Sequence, residues 1–130
     1  MVPHNADILL IEDSPTQAQQ FQLWLTSAGY SVEIVHDGAQ GLLQARHANP
    51  RLILLDIALP TISGFHILAC LKREQRTQHT PIAILTNHVD EQNRVRAMRL
   101  GAECLISKYT DRAQFCALVE AALQPTNAVR

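Results

Sequence analysis

A chain of 130 residues has the size of one domain, taken as 1–130 with a packed core over about 6–123, and 47% hydrophobic residues supply one core but not two. A formal net charge of -1, with 18% charged residues, excludes the basic field of a nucleic-acid binder and the acidic balance of a disordered tail. The expected partners are therefore proteins, with no direct nucleic acid and no membrane.

Taken in chain order, five apolar runs of strand length alternate with segments of helical periodicity: 7–12 (DILLIE), 30–35 (YSVEIV), 51–56 (RLILLD), 81–86 (PIAILT) and 103–107 (ECLIS). The first, third and fourth are nearly continuous in apolar residues, as central parallel strands covered on both faces require; the second alternates and suits an edge. After the first run, Ser14 can cap a helix, with Pro15 in its first turn and Gln17 completing a capping box, and Gly29 ends it. Phe21, Leu25 and Ala28, with Ala18 and Trp24, make one apolar stripe, which assigns Trp24 to the core.

Asp37 opens a second helix carrying Leu42, Leu43 and Ala45, and Pro50 keeps it out of the third strand. A third helix is predicted over Gly64–Arg73. Asp90 and Asp111 cap the fourth and fifth, the last burying Phe115, Leu118, Val119 and Ala122. Loose ends are expected at 1–5 and 125–130. Cys70, Cys104 and Cys116, odd in number and without metal-like spacing, read as buried reduced thiols. The first residues lack the pattern of a signal peptide and no apolar stretch is long enough to span a membrane, so a cytoplasmic protein is expected.

Five βα units predict an α/β fold, a doubly wound five-stranded parallel sheet with five helices. Such sheets bind ligands beyond the carboxyl ends of their strands. Those ends hold Glu12 and Asp13 after the first run, Asp56 closing the third, Thr86 closing the fourth and Lys108 after the fifth. Three carboxylates brought together raise one another's pKa unless a cation or the Lys108 ammonium neutralises them. Oxygen ligands without a His or Cys cluster point to Mg²⁺ (or Mn²⁺) and away from zinc. The plainer alternative is a buried ion pair between Asp56 and Lys108.

In these motifs the chain resembles the receiver domains of bacterial response regulators, over residues 6 to about 123. They match in order: the acidic pair Glu12-Asp13, LLD followed by IALP at 54–60 with Gly64 beyond, Thr86 after four apolar residues, and GAECLISK at 101–108. The resemblance implies the CheY-like, flavodoxin-like strand order 2-1-3-4-5 and a part in a two-component phosphorelay. It implies that Asp56 is the phospho-acceptor and a metal ligand, Asp13 a direct ligand, Glu12 a ligand through water, and the Ala58 main-chain carbonyl another ligand. Lys108 would pair with the phosphoryl group and Thr86 would hydrogen-bond one of its oxygens. The implied donor is a phosphohistidine on a sensor histidine kinase or phosphotransfer protein. The surface of helix four, strand five and helix five would change on phosphorylation, engaging a downstream protein target or a second copy in a homodimer.

Several positions depart from that pattern. Glu12 replaces the commoner Asp, a change expected to leave function intact. Leu105 replaces an inward-turning Tyr or Phe in the switch region, which also holds Thr86 and Asn87, and Asn87 is expected to crowd the phosphoryl pocket. Tyr109 replaces the Pro after Lys108, so a trans Lys108–Tyr109 bond, or a strained cis one, is expected. Ala58 and His88 stand where the family sets the phosphoryl lifetime, which predicts slow to moderate self-dephosphorylation. Arg94, Arg96 and Arg99 form a basic face on helix four, as either a partner surface or a solvated one. The six histidines form no pair at metal spacing, and none is read as a phosphotransfer residue.

Three competing readings remain. An aspartyl-phosphate phosphatase of the haloacid-dehalogenase type also uses a strand-end Asp, but it needs a second Asp where Ala58 stands, and a cap domain. A pseudo-receiver would fold and bind without phosphorylation. A flavodoxin-like electron carrier would need a Ser/Thr-rich phosphate loop after the first strand, which is missing. The chain is either a stand-alone regulator or a receiver cut from a longer protein.

Overall fold

The computed structural model describes residues 6–124. Ten elements alternate: β1 (Ile8–Ile11), α1 (Pro15–Ser27), β2 (Val32–Val35), α2 (Gly38–Ala48), β3 (Leu52–Asp56), α3 (Gly64–Arg73), β4 (Ile82–Thr86), α4 (Glu91–Arg99), β5 (Cys104–Ser107) and α5 (Arg112–Leu123). The strands form one parallel sheet in the order β2-β1-β3-β4-β5. Every residue of β1, β3 and β4 is buried, whereas those of the edge strand β2 are half-buried. Continuous apolar runs thus went to the middle, where helices cover both faces, and the alternating run went to an edge.

Side chains alternate across the sheet, so one strand feeds two cores. Leu9, Ile11, Ile53, Leu55, Ile82 and Ile84 pack with Phe65, Ile67, Leu68 and Leu71 of α3 and with Ala45 and Ala97. Ile8, Leu10, Leu52, Leu54, Ala83 and Leu85 pack on the other face with Phe21 and Leu25 of α1 and Phe115 and Val119 of α5. Phe21 stacks on Phe115 with centroids 5.0 Å apart, and Trp24, half-buried against this core, meets both rings edge-on or tilted.

Helix starts follow the predicted caps. Ser14, Asp37, Asp90 and Asp111 each accept a hydrogen bond from the main-chain N–H three residues on. Gly29, at φ 99°, ends the turn after α1 in a conformation that costs glycine nothing. Four expectations need correction. Ala28 belongs to the exposed C-cap and not to the α1 stripe. Leu43 is 46% exposed, because the α2 face toward the sheet is formed by Gly41 and Ala45 with Leu42 beside them. Cys70, Cys104 and Cys116 are free thiols as expected but only half-buried. The capping box closes on one side only, since Ser14 N–H donates to Glu12 Oε2 at 3.1 Å and leaves the Gln17 side chain free for another partner.

No cis peptide bond occurs among the described residues, so the Lys108–Tyr109 linkage is trans, as the cost of a cis non-proline bond predicts. No described helix is long and apolar enough to cross a membrane. The expected loose ends at 1–5 and 125–130 lie outside the described residues.

Gly64 ties the fold to the end of β3. A Cβ there would sit 2.5 Å from the Asp56 main-chain oxygen and closer still to Ile57 Cα, contacts with backbone that no rotamer relieves. Gly64→Ala is expected to destabilise the protein by about 1–3 kcal/mol, the usual cost of forcing atoms into a packed site. A urea midpoint unchanged from wild type would contradict this close approach.

Candidate functional site

The parallel register brings the carboxyl ends of β1, β3, β4 and β5 to one side of the sheet. Glu12 follows β1 and is fully buried, Asp13 beside it is exposed, and Asp56 closes β3 with 2% of its surface exposed. One carboxylate oxygen from each lies within 4.8 Å of the others. Lys108 enters from the loop after β5, where its main-chain N–H donates to the Thr86 carbonyl at 2.9 Å.

The Lys108 ammonium is ringed by oxygen. Nζ donates to Asp56 Oδ2 at 3.1 Å and to Gln17 Oε1 at 2.8 Å, and it lies 2.8 Å from Glu12 Oε1 in an ion pair. The other Asp56 oxygen, Oδ1, accepts the Ala58 N–H at 2.9 Å. Burial pushes the Glu12 carboxyl above its ordinary value of 4.5; contact with Lys108 works against that rise and the Asp56 charge adds to it. For Lys108 burial acts downward, but contact with Glu12 and the charge of Asp56 outweigh it, and the net shift is upward. An ionised Lys108 is thus held firmly by two acids, and a third, Asp13, completes the acidic cluster.

Thr86, 4% exposed, closes β4 next to β3. Its hydroxyl is engaged by its own loop, accepting the His88 N–H at 3.0 Å and donating to the His88 carbonyl at 3.1 Å. Asn87 is exposed. Leu105 is half-buried against the core on the α3 side.

The geometry places an acidic pair, a strand-end aspartate and a lysine where a doubly wound fold binds ligands. A family model described as the response regulator receiver domain matches residues 8–120. The chain belongs to that family.

As a receiver, the chain is 30% identical over 118 residues to protein PilH of Pseudomonas aeruginosa, covering 91% of this chain and 98% of PilH. It is 33% identical to the DNA-binding dual master transcriptional regulator RpaA of Synechocystis, covering 94% of this chain and 51% of RpaA. The receiver spans about half the length of most of the curated relatives it matches. Among solved structures, the receiver domain of sensor histidine kinase PA1611 from Pseudomonas aeruginosa superposes with a TM-score of 0.83 at 26% identity, covering 92% of this chain and 98% of that one. That structure holds a magnesium ion coordinated in its active site cleft.

Of the predicted site residues, the structure brings Glu12, Asp13, Asp56 and Lys108 together, with the Ala58 main chain on Asp56. Thr86 sits on the neighbouring strand end with its hydroxyl turned into the loop. Gln17 was missed as a site residue. Its pattern, Ser14-x-x-Gln17, also fits a capping box, and only the fold reveals that Glu12 takes the cap's N–H instead. The one available signal was its place a single turn beyond the acidic pair.

The basic face on α4 is partly committed. The Arg96 guanidinium lies 4.1 Å from the centre of the Phe65 ring, and Arg94 pairs with Glu91 at 3.4 Å. The five described histidines, His36, His47, His66, His79 and His88, are all exposed.

Removing the ammonium from this receiver leaves Glu12 and Asp56 buried without their counter-charge. Lys108→Met is expected to lose about 3 kcal/mol at pH 7, as when one partner of a buried pair is deleted. The Lys108 contact works to lower the Glu12 carboxyl, so its loss raises that carboxyl further in the variant, which then gains more stability than the wild type as pH falls toward 4.5. The variant should therefore recover part of its deficit at pH 5. Urea unfolding of both proteins at the two pH values checks this; an equal deficit at both would contradict it.

Proposed function

We propose that Asp56 accepts a phosphoryl group from a phosphohistidine on a partner kinase or phosphotransfer protein. The chain then acts as one receiver domain, residues 1–130, in a cytoplasmic two-component system. The observation that carries this reading is the Asp56 carboxylate held between the Ala58 N–H and the Lys108 ammonium beside two further acids.

The donor set suits a hard divalent cation. Its oxygens are close enough to share one ion, and Glu12 Oε1, fully buried, has no aligned hydrogen-bond donor. Asp13 and Asp56 would hold Mg²⁺ (or Mn²⁺) directly, with the Ala58 carbonyl, and Glu12 through water. Once bound, the ion supplies positive charge against both the acidic cluster and the phosphoryl oxygens.

The rest is done by the chain. An Asp56 oxygen attacks phosphorus in line, the new O–P bond forms as the donor's N–P bond breaks, and the imidazole leaves with the electron pair. Lys108 offers its charge to the equatorial oxygens as that negative charge shifts. Asp13 and Ala58, both exposed, flank the otherwise buried carboxylate and mark the side from which the donor approaches. Thr86 then exchanges its bonds with His88 for a phosphoryl oxygen. That exchange, weighted by the affinity of the phosphoryl group for the inward hydroxyl, shifts the surface of α4, β5 and α5. Val95 and Met98 of α4 and Tyr109 after β5, at 38%, 45% and 80% exposure, are apolar side chains available to a downstream protein or a second copy.

Incubation with acetyl phosphate and Mg²⁺ is expected to add one phosphoryl mass to the wild type and none to Asp56→Asn. Label on both, or on neither, would contradict the assignment. Ala58 offers no side chain to hold an attacking water, so Ala58→Asn is expected to shed the phosphoryl group several-fold faster. Equal decay of the two phosphoproteins would remove Ala58 from the account of the lifetime.

A further inference from the structure

An ammonium carries three N–H groups, and Lys108 has three oxygens in reach: Glu12 Oε1 at 2.8 Å, Asp56 Oδ2 at 3.1 Å and Gln17 Oε1 at 2.8 Å. Two of these partners change during the proposed reaction. Glu12 and Asp56 belong to the cluster that a divalent cation would share, and Asp56 ceases to be a free carboxylate once it carries phosphorus. Gln17 changes in neither respect. It is a neutral amide, and it sits in the first turn of α1 on a helix anchored by Phe21 and Leu25 in the core.

The side chain is also free for this task for a local reason. The N-cap N–H that a capping-box glutamine would take is already bound by Glu12 Oε2. Glu12 thereby serves α1 with one oxygen and Lys108 with the other. Gln17 closes the circuit from α1 back to the loop after β5, a connection across 91 residues of chain.

We propose that Gln17 is a positioning residue for phosphoryl transfer: its amide oxygen keeps the Lys108 ammonium at the strand ends while the carboxylates beneath it exchange partners. This rests on the phospho-acceptor reading of Asp56. Without Gln17 the ammonium has only anionic partners, and each of them is diverted as the reaction proceeds. Lys108 then has no fixed anchor at the moment the equatorial oxygens need it.

The chain offers a clean spectroscopic probe, because Lys72 and Lys108 are its only lysines. Lys72 is held apart from the site, donating to the carbonyls of Thr80 at 2.8 Å and Gln78 at 3.2 Å, and serves as an internal reference. In protein labelled with ¹³C at the lysine ε carbon and free of metal, the two ε protons of Lys108 are expected to be inequivalent in wild type. They should average toward one signal in Gln17→Leu, which keeps the bulk and removes the acceptor, and stay distinct in Gln17→Glu, which keeps an acceptor. The Lys72 signals should be the same in all three. With Mg²⁺ and acetyl phosphate, Gln17→Leu is expected to phosphorylate about ten-fold more slowly, the factor carried by one hydrogen bond to a charged group. Its half-saturating Mg²⁺ concentration should be little changed.

A wild-type Lys108 spectrum in Gln17→Leu, or an undiminished phosphorylation rate, would overturn the proposal. A wild type that takes no label at all would overturn the phospho-acceptor reading and the positioning role with it. The two failures are distinguishable, since the metal-free spectra report on the Gln17–Lys108 contact without any phosphodonor.

Discussion

A single ammonium among three buried or half-buried oxygens is the constraint on which this structure turns. Lys108 reaches β1 through Glu12, β3 through Asp56 and α1 through Gln17, and its own N–H binds the Thr86 carbonyl on β4. Burying Glu12 and Asp56 costs several kcal/mol more without that positive charge, and burying Lys108 is likewise costly without theirs. The central strands can therefore end in acid and remain buried. Three acids against one base still leave an excess of negative charge, and the proposed binding of a cation and of a phosphoryl group rests on that imbalance.

The fold transmits that local balance outward by packing. Gly64 allows α3 to start against the backbone of Asp56 and Ile57, which seats the end of β3 beside the helix that carries Phe65. Phe65 in turn lies under the Arg96 guanidinium of α4. On the other side of Asp56, Thr86 closes the adjacent strand with its hydroxyl bound to the loop that leads into α4. Two short chains of contact thus run from the end of β3 to α4. Neither uses an aromatic residue at position 105, where Leu105 simply fills the core.

Most of this was readable from residue order because local and global preferences agree. Strand ends, helix caps and the edge position of β2 follow from continuous or alternating apolar runs and from Ser or Asp at the helix starts. The convergence of Glu12, Asp13, Asp56 and Lys108 follows from the rule that parallel strands present their carboxyl ends together. Legibility ended where one residue had two partners to choose from. Gln17 matches a capping box and a lysine clamp equally well, and the outcome depends on where Glu12 points. Ala28 continues the spacing of the buried α1 stripe, yet the turn at Gly29 takes it out of its helix, whereas Leu43 lies two residues from Gly41 and Ala45 and so falls on the opposite side of α2. The thiols looked buried because their segments are, but each sits on a face that leaves it half open.

The central claim is that Asp56, and no other acid in the cluster, becomes the acyl phosphate. Borohydride reduction after phosphorylation converts an aspartyl phosphate to homoserine, which peptide mass mapping locates by position. Homoserine is expected at position 56, with Asp13 and Glu12 unaltered. Reduction product at position 13 or 12, or an intact aspartate at 56 in phosphorylated protein, would contradict it.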